Sequence, residues 1–129
     1  MQIPRVQLRL ILPGGKAFGP GKAELLTLIG RLGSISAAGR GMRMSYKRAW
    51  GLVEEMNGSF RAPLVTTERG GADRGGAQVT DLGREVLARY RELEAGVAAA
   101  GAEDLCFIGA ALRKTGEVLS DGSASDMSG

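Results

Sequence analysis

The stretch from Gly33 to Asn57, GSISAAGRGMRMSYKRAWGLVEEMN, constrains the fold more than any other part of the chain. It reads as helix, tight turn, helix. Ser34 carries a hydroxyl suited to accept from an orphan amide in a first helical turn, and Ile35, Ala38 and Met42 follow at helical spacing on one face. Ser45 repeats the device for a second helix, whose buried stripe comes from Ala49, Leu52, Val53 and Met56. Tyr46, Lys47, Arg48 and Trp50 fall on the opposite face. No acidic residue occurs between Glu24 and Glu54, whereas Arg31, Arg40, Arg43, Lys47 and Arg48 all do. A helix whose exposed first turn is polar, aromatic and basic suits the major groove of DNA. Two short amphipathic helices with a basic face are also common in proteins that never touch nucleic acid, so the rest of the chain has to decide.

Charge is unevenly distributed along the 129 residues. Residues 1–101 hold 15 basic and 9 acidic side chains, net +6, while 102–129 hold 2 and 5, net −3. A basic body favours nucleic acid or another anionic surface as partner. The 21 glycines and six aromatic residues predict one small, loop-rich domain with a thin core. One cysteine, Cys106, and no histidine exclude an internal disulfide, a Cys/His zinc site and a histidine-based triad. The acidic residues form no paired arrangement, so no catalytic residue, no metal site and no cofactor is expected. The chain shows neither a signal-peptide run nor the roughly 20 apolar residues of a membrane span. The expectation is a soluble cytoplasmic protein with no membrane partner, associated with the nucleoid when bound to DNA.

In chain order, Val6, Leu8, Leu10 and Leu12 alternate with Gln7, Arg9 and Ile11, which predicts a strand with one buried face, ended by Pro13-Gly14-Gly15. Gly19-Pro20-Gly21 leads into a helix with Leu25, Leu28, Ile29 and Leu32 as its stripe, stopped by Gly33 at C′. After the two-helix unit, Asn57-Gly58-Ser59 closes the second helix. Leu64–Glu68 and Ala77–Thr80 predict a hairpin around a glycine-rich tip, Arg69 to Gly76. The tip lacks the spacing and terminal Lys-Ser/Thr of a nucleotide-binding P-loop. With Arg69 and Arg74 it is either a solvated turn or a wing that grips DNA backbone. Thr80 is expected to cap a long helix over 81–101, in which Leu82, Val86, Tyr90, Leu93 and Val97 form a stripe close to a coiled-coil seam. That stripe packs either on the domain's own core or on a second copy. A short helical extension is expected within 102–119, and a disordered tail over 120–129.

Several of these residues carry a family resemblance: Gly33-Ser34-Ile35-Ser36, Ser45-Tyr46-Lys47 with Ala49-Trp50, Glu55-Met56-Asn57, Gly70-Gly71 and Gly75-Gly76, and Thr80 with Gly83. Through them the chain resembles, from about residue 5 to 100, the winged helix-turn-helix domain of the ModE family of molybdate-responsive transcriptional regulators, itself similar to the LysR-type DNA-binding domain. The resemblance implies that Ser45, Tyr46, Lys47 and Arg48 open the recognition helix, that Ala49, Trp50 and Met56 pack, and that Arg69 to Gly76 form the wing. Two features depart from it. The family tends to place glycine just before the recognition helix, where this chain has Arg43; if that position keeps φ > 0, arginine is strained there and Gly41 takes over part of the bend. Family members also carry carboxy-terminal β-barrels that bind molybdate between subunits, for which the 28 residues after Gly101 are too few. The molybdate-binding domain is therefore expected to be lacking, and molybdate is not expected as a ligand.

The sequence thus predicts an α+β, mainly α fold: a winged helix-turn-helix spanning 1–101, with an N-terminal strand, a β-hairpin wing and a long C-terminal dimerisation helix. Its expected function is that of a stand-alone regulator binding double-stranded promoter or operator DNA as a homodimer. Tyr46, Lys47 and Arg48 are expected near base edges; Ser34, Ser36, Ser45, Trp50, Arg69 and Arg74 complete the DNA-binding set. Leu25, Leu28, Val86, Tyr90, Leu93 and Val97 are expected at the dimer interface. The alternatives are a winged helix used for protein interaction, which would need an exposed apolar face, and an enzyme, for which no residue constellation exists.

Overall fold

The computed structural model describes residues 2–68 and 76–113. Arg69, Arg74 and the tail 120–129 lie outside the described residues. The architecture is mainly helical with two small antiparallel sheets. A short hairpin of β1 (Leu10–Ile11) and β2 (Ala17–Phe18) precedes α1 (Pro20–Leu32), α2 (Ile35–Gly41) and α3 (Tyr46–Ser59). A second hairpin, β3 (Val65–Thr67) and β4 (Ala77–Val79), leads to α4 (Asp81–Ala100) and α5 (Ala102–Ala111).

The strand expected over Val6 to Leu12 is shorter than its alternation suggests. Val6, Leu8, Leu10 and Leu12 are all partly covered while the residues between them are exposed, yet the ladder is confined to Leu10 opposite Phe18 and Ile11 opposite Ala17. A strand extends only as far as it has a partner, and β2 ends where Gly19 and Pro20 start α1. The upstream segment is held instead by the Tyr90 hydroxyl, which donates to the Leu8 carbonyl at 2.7 Å.

Leu25, Leu26 and Ile29 of α1 are fully buried and form the centre of the core with Phe18, Val53, Met56 and Leu64. Gly33 ends α1 in the left-handed region, φ 71°, with its N–H returning to the Ile29 carbonyl at 2.8 Å. Phe18 meets Phe60 and Tyr90 edge-on, at centroid distances of 6.1 and 5.2 Å, tying the first hairpin to α3's exit and to α4. Helices α2 and α3 approach closely because Gly39 has no side chain: a Cβ there would stand 3.0 Å from the Ala49 Cβ. Gly83 performs the same service for α4. A Cβ there would fall 2.4 Å from the Leu64 carbonyl oxygen, so the helix sits directly on the start of β3.

Two residues expected at a dimer seam are interior. Leu25 is 0% exposed, and Tyr90 is 2% exposed with its ring against Phe18 and its hydroxyl bonded to Leu8. Neither is available to a second copy, because both belong to the protomer's own core. Leu28 and Val86 are partly buried against the core, whereas Leu93 and Val97 are 46% and 42% exposed. Among the described residues no helix is long and apolar enough to cross a membrane.

Candidate nucleic-acid interface

Two serine caps set the geometry of α2 and α3. The Ala37 N–H donates to Ser34 Oγ and the Arg48 N–H to Ser45 Oγ, each at 3.0 Å, so both hydroxyls satisfy an amide that the helix start leaves without a partner. The turn between the helices is closed by the Arg43 N–H to the Arg40 carbonyl and the Met44 N–H to the Gly39 carbonyl, both 3.0 Å. Arg43 itself lies in the left-handed region at φ 61°. The bend therefore rests on the arginine; Gly41 stays the last residue of α2 and takes no left-handed φ.

The first turn of α3 presents Tyr46, Lys47 and Arg48, all exposed. Tyr46 and Trp50 stack edge-on at 6.3 Å, and the Trp50 indole N–H donates to the Tyr46 hydroxyl oxygen. The hydroxyl's own proton remains free to face outward. Trp50 is half-buried against the core and spends its single donor on Tyr46, so it positions the phenol more than it offers a contact of its own. Ser36, also expected to face a partner, accepts from the Arg40 guanidinium at 3.0 Å. A cleft of about 730 Å³ runs between the start of α2, the Tyr46–Trp50 pair and the base of the second hairpin at Thr67, Glu68 and Gly76.

The far half of α3 is anchored by polar contacts that the sequence did not announce. Lys22, nearly buried at the start of α1, donates to the Ala17 carbonyl at 2.7 Å and pairs with Glu55 at 2.6 Å. Lys16 reaches the other Glu55 oxygen at 3.4 Å. The hydrogen bond and charge of Lys22, seconded by Lys16, hold the Glu55 carboxyl below its ordinary pKa of 4.5 against the opposing effect of desolvation. Asn57 is a clamp as well as a helix-end residue: its side-chain oxygen accepts from the Leu64 and Val65 amides at 2.8 and 3.1 Å, and its amide nitrogen donates to the Val65 carbonyl at 3.0 Å. One side chain thereby fixes the second hairpin to α3. The signal for Lys22 was a lone lysine one turn before Leu25 and two turns before Ile29 of the apolar stripe; for Asn57 no local signal exists, because a helix-stopping asparagine has the same spelling. Among the described residues, no group of three or more His, Cys, Asp or Glu could hold a metal ion.

No family model matches the chain. Among curated proteins it is 48% identical over 84 residues to the molybdenum-pterin-binding protein MopB of Rhodobacter capsulatus, covering 65% of this chain and 31% of that protein. It is 42% identical over 80 residues to the molybdenum transport protein ModE of Azotobacter vinelandii, covering 62% and 30%. It is 37% identical over 71 residues to the DNA-binding transcriptional dual regulator ModE of Escherichia coli K12, covering 55% and 27%. The chain spans about a third of the length of the curated relatives it matches. These names describe regulation, transport and molybdenum binding, and none of the three describes an enzyme. The expectation against molybdate as a ligand is corrected here: it was drawn from the length of chain after Gly101, and relatives this similar bear molybdenum binding in their names.

Proposed function

We propose that this chain is the DNA-binding unit of a ModE-type transcriptional regulator, a winged helix-turn-helix in which α3 is the recognition helix and the β3–β4 hairpin is the wing. The observation that carries the reading is the first turn of α3: exposed, capped by Ser45, free of carboxylates, and offering the Tyr46 hydroxyl proton beside Lys47 and Arg48, two cations without partners among the described residues. An α-helix about 10–12 Å across fits a major groove about 12 Å wide. In that pose Tyr46, Lys47 and Arg48 meet base edges, where Lys and Arg favour guanine O6 and N7, and the Tyr46 proton suits a base or phosphate acceptor. Ser34, Ser36 and the wing arginines Arg69 and Arg74 face backbone, which sets register. The similarity to a regulator named as DNA-binding supports the same assignment. A homodimer joined through the later part of α4, by Leu93 and Val97, would pair two such units on one site.

Fluorescence anisotropy on duplex DNA across a salt series tests the reading. Binding should weaken steeply as salt rises, through release of counterions from the phosphates. Lys47→Ala and Arg48→Ala should each lose about 1–3 kcal/mol on a preferred site and relax selectivity at one base pair. Binding absent at low salt would refute it and return the winged helix to a protein-interaction role. The relatives' names make an oxomolybdenum anion the signal to test: molybdate should shift the midpoint of the same titration, or bind saturably by calorimetry, and neither response would remove molybdenum from the proposal.

A further inference from the structure

We propose that Arg43 is a contact to the DNA sugar-phosphate backbone, held at the turn between α2 and α3 in spite of the conformation that position demands; the proposal rests on the DNA-binding reading above. Among the described residues Arg43 is the one non-glycine with a positive φ, 61°. A β-carbon crowds the neighbouring carbonyl in this region, which is why glycine, asparagine and aspartate are the residues usually found there. Arginine has no short polar side chain with which to offset the crowding locally. Nor do the other described residues offset it. The side chain is exposed and makes no hydrogen bond, ion pair or ring contact among the described residues.

Its neighbours sharpen the point. Arg40, three residues earlier, spends a guanidinium nitrogen on the Ser36 hydroxyl. Arg43 is left with Lys47 and Arg48 as an unpartnered cation, in a segment with no acidic residue from Ile35 through Ala49. The turn is rigid rather than loose, since the amides of Arg43 and Met44 are both bonded back into α2. It stands two residues before the Ser45 cap, at the junction of the two elements that approach the groove. A guanidinium carried on that turn, with five donors and no acceptor among the described residues, has the chemistry of a phosphate clamp. Such a contact sets the register of α3 on the duplex and carries no base information.

Substitution separates the two properties of this residue because they move in opposite directions. Arg43→Gly and Arg43→Asn both suit the left-handed turn and both remove the cation. Each variant is expected to melt a few degrees above the wild-type chain, yet to bind every duplex sequence roughly three- to tenfold more weakly, with a log–log salt slope shallower by about one. Asn controls for added glycine flexibility, and Arg43→Lys, which keeps charge and conformation, should retain most of the slope. Wild-type affinity and slope in the Gly and Asn variants would overturn the proposal. So would a loss confined to one base pair, which signifies a base contact. A wild-type chain that binds no duplex is a different result, and it removes the DNA-binding reading itself.

Discussion

Lys22 is a nearly buried cation at the start of α1, and Glu55 is what makes that position tolerable. Lysines are almost never fully buried unless paired, and this pair also ties the first hairpin to α3. Because the Glu55 carboxyl is held below 4.5 in the folded chain, its stabilising contribution is complete above that value and is lost as pH falls through the folded-state pKa. Denaturant midpoints should therefore differ between wild type and Glu55→Gln at pH 7, and the difference should shrink as pH falls below 4.5 and through the folded-state pKa. A difference that persists unchanged in acid would mean the charge on Glu55 does not matter. Gly83 offers a purely steric counterpart. With a Cβ predicted to fall 2.4 Å from the Leu64 carbonyl oxygen, Gly83→Ala should destabilise by ~1–3 kcal/mol, read from urea unfolding, whereas Gly96→Ala, with open space around it, should not.

At the scale of elements, what was legible in the sequence was what is local. Ser34, Ser45 and Thr80 each accept from the amide three residues on, so the three helix starts could be read from the residues themselves. Ser45→Ala should cost about 1 kcal/mol of stability by thermal melt and blunt DNA binding through fraying of the first turn of α3. The turn at Arg43 was only half legible: the family's glycine raised a left-handed φ there as a condition, with Gly41 as the other bearer of the bend, and the backbone puts it on Arg43 at φ 61°. Non-local pairing was not. The alternation from Val6 to Leu12 correctly marks which side chains are covered, but the ladder stops at Leu10 because its partner β2 is two residues long. Likewise a stripe such as Leu82, Val86, Tyr90, Leu93 and Val97 declares that a face is covered without saying by what. Phe18, 72 residues upstream of Tyr90, claims that ring, and leaves the later positions outward. The Asn57 clamp depends on amides seven and eight residues away, and the spelling of a helix end does not disclose it.

For the molecule as a whole, the exposed Leu93 and Val97 lie on a 20-residue helix that outruns the core beneath it. On the dimer proposed above, Leu93→Glu should place a charge at the seam and yield a folded monomer by light scattering, since burying an unpaired charge costs several kcal/mol. A wild-type chain that is monomeric at micromolar concentration would refute the dimer, and a variant that unfolds would show Leu93 to be needed by the protomer. Sequence-specific reading by the first turn of α3 is tested by selecting duplexes from a random pool with the wild-type chain. Enrichment of an inverted repeat is expected, with half-sites about one helical turn apart, roughly 10 bp, and a changed preference within each half-site for Arg48→Ala. Recovery of duplexes with no common sequence, or the same sequence for wild type and variant, would contradict it.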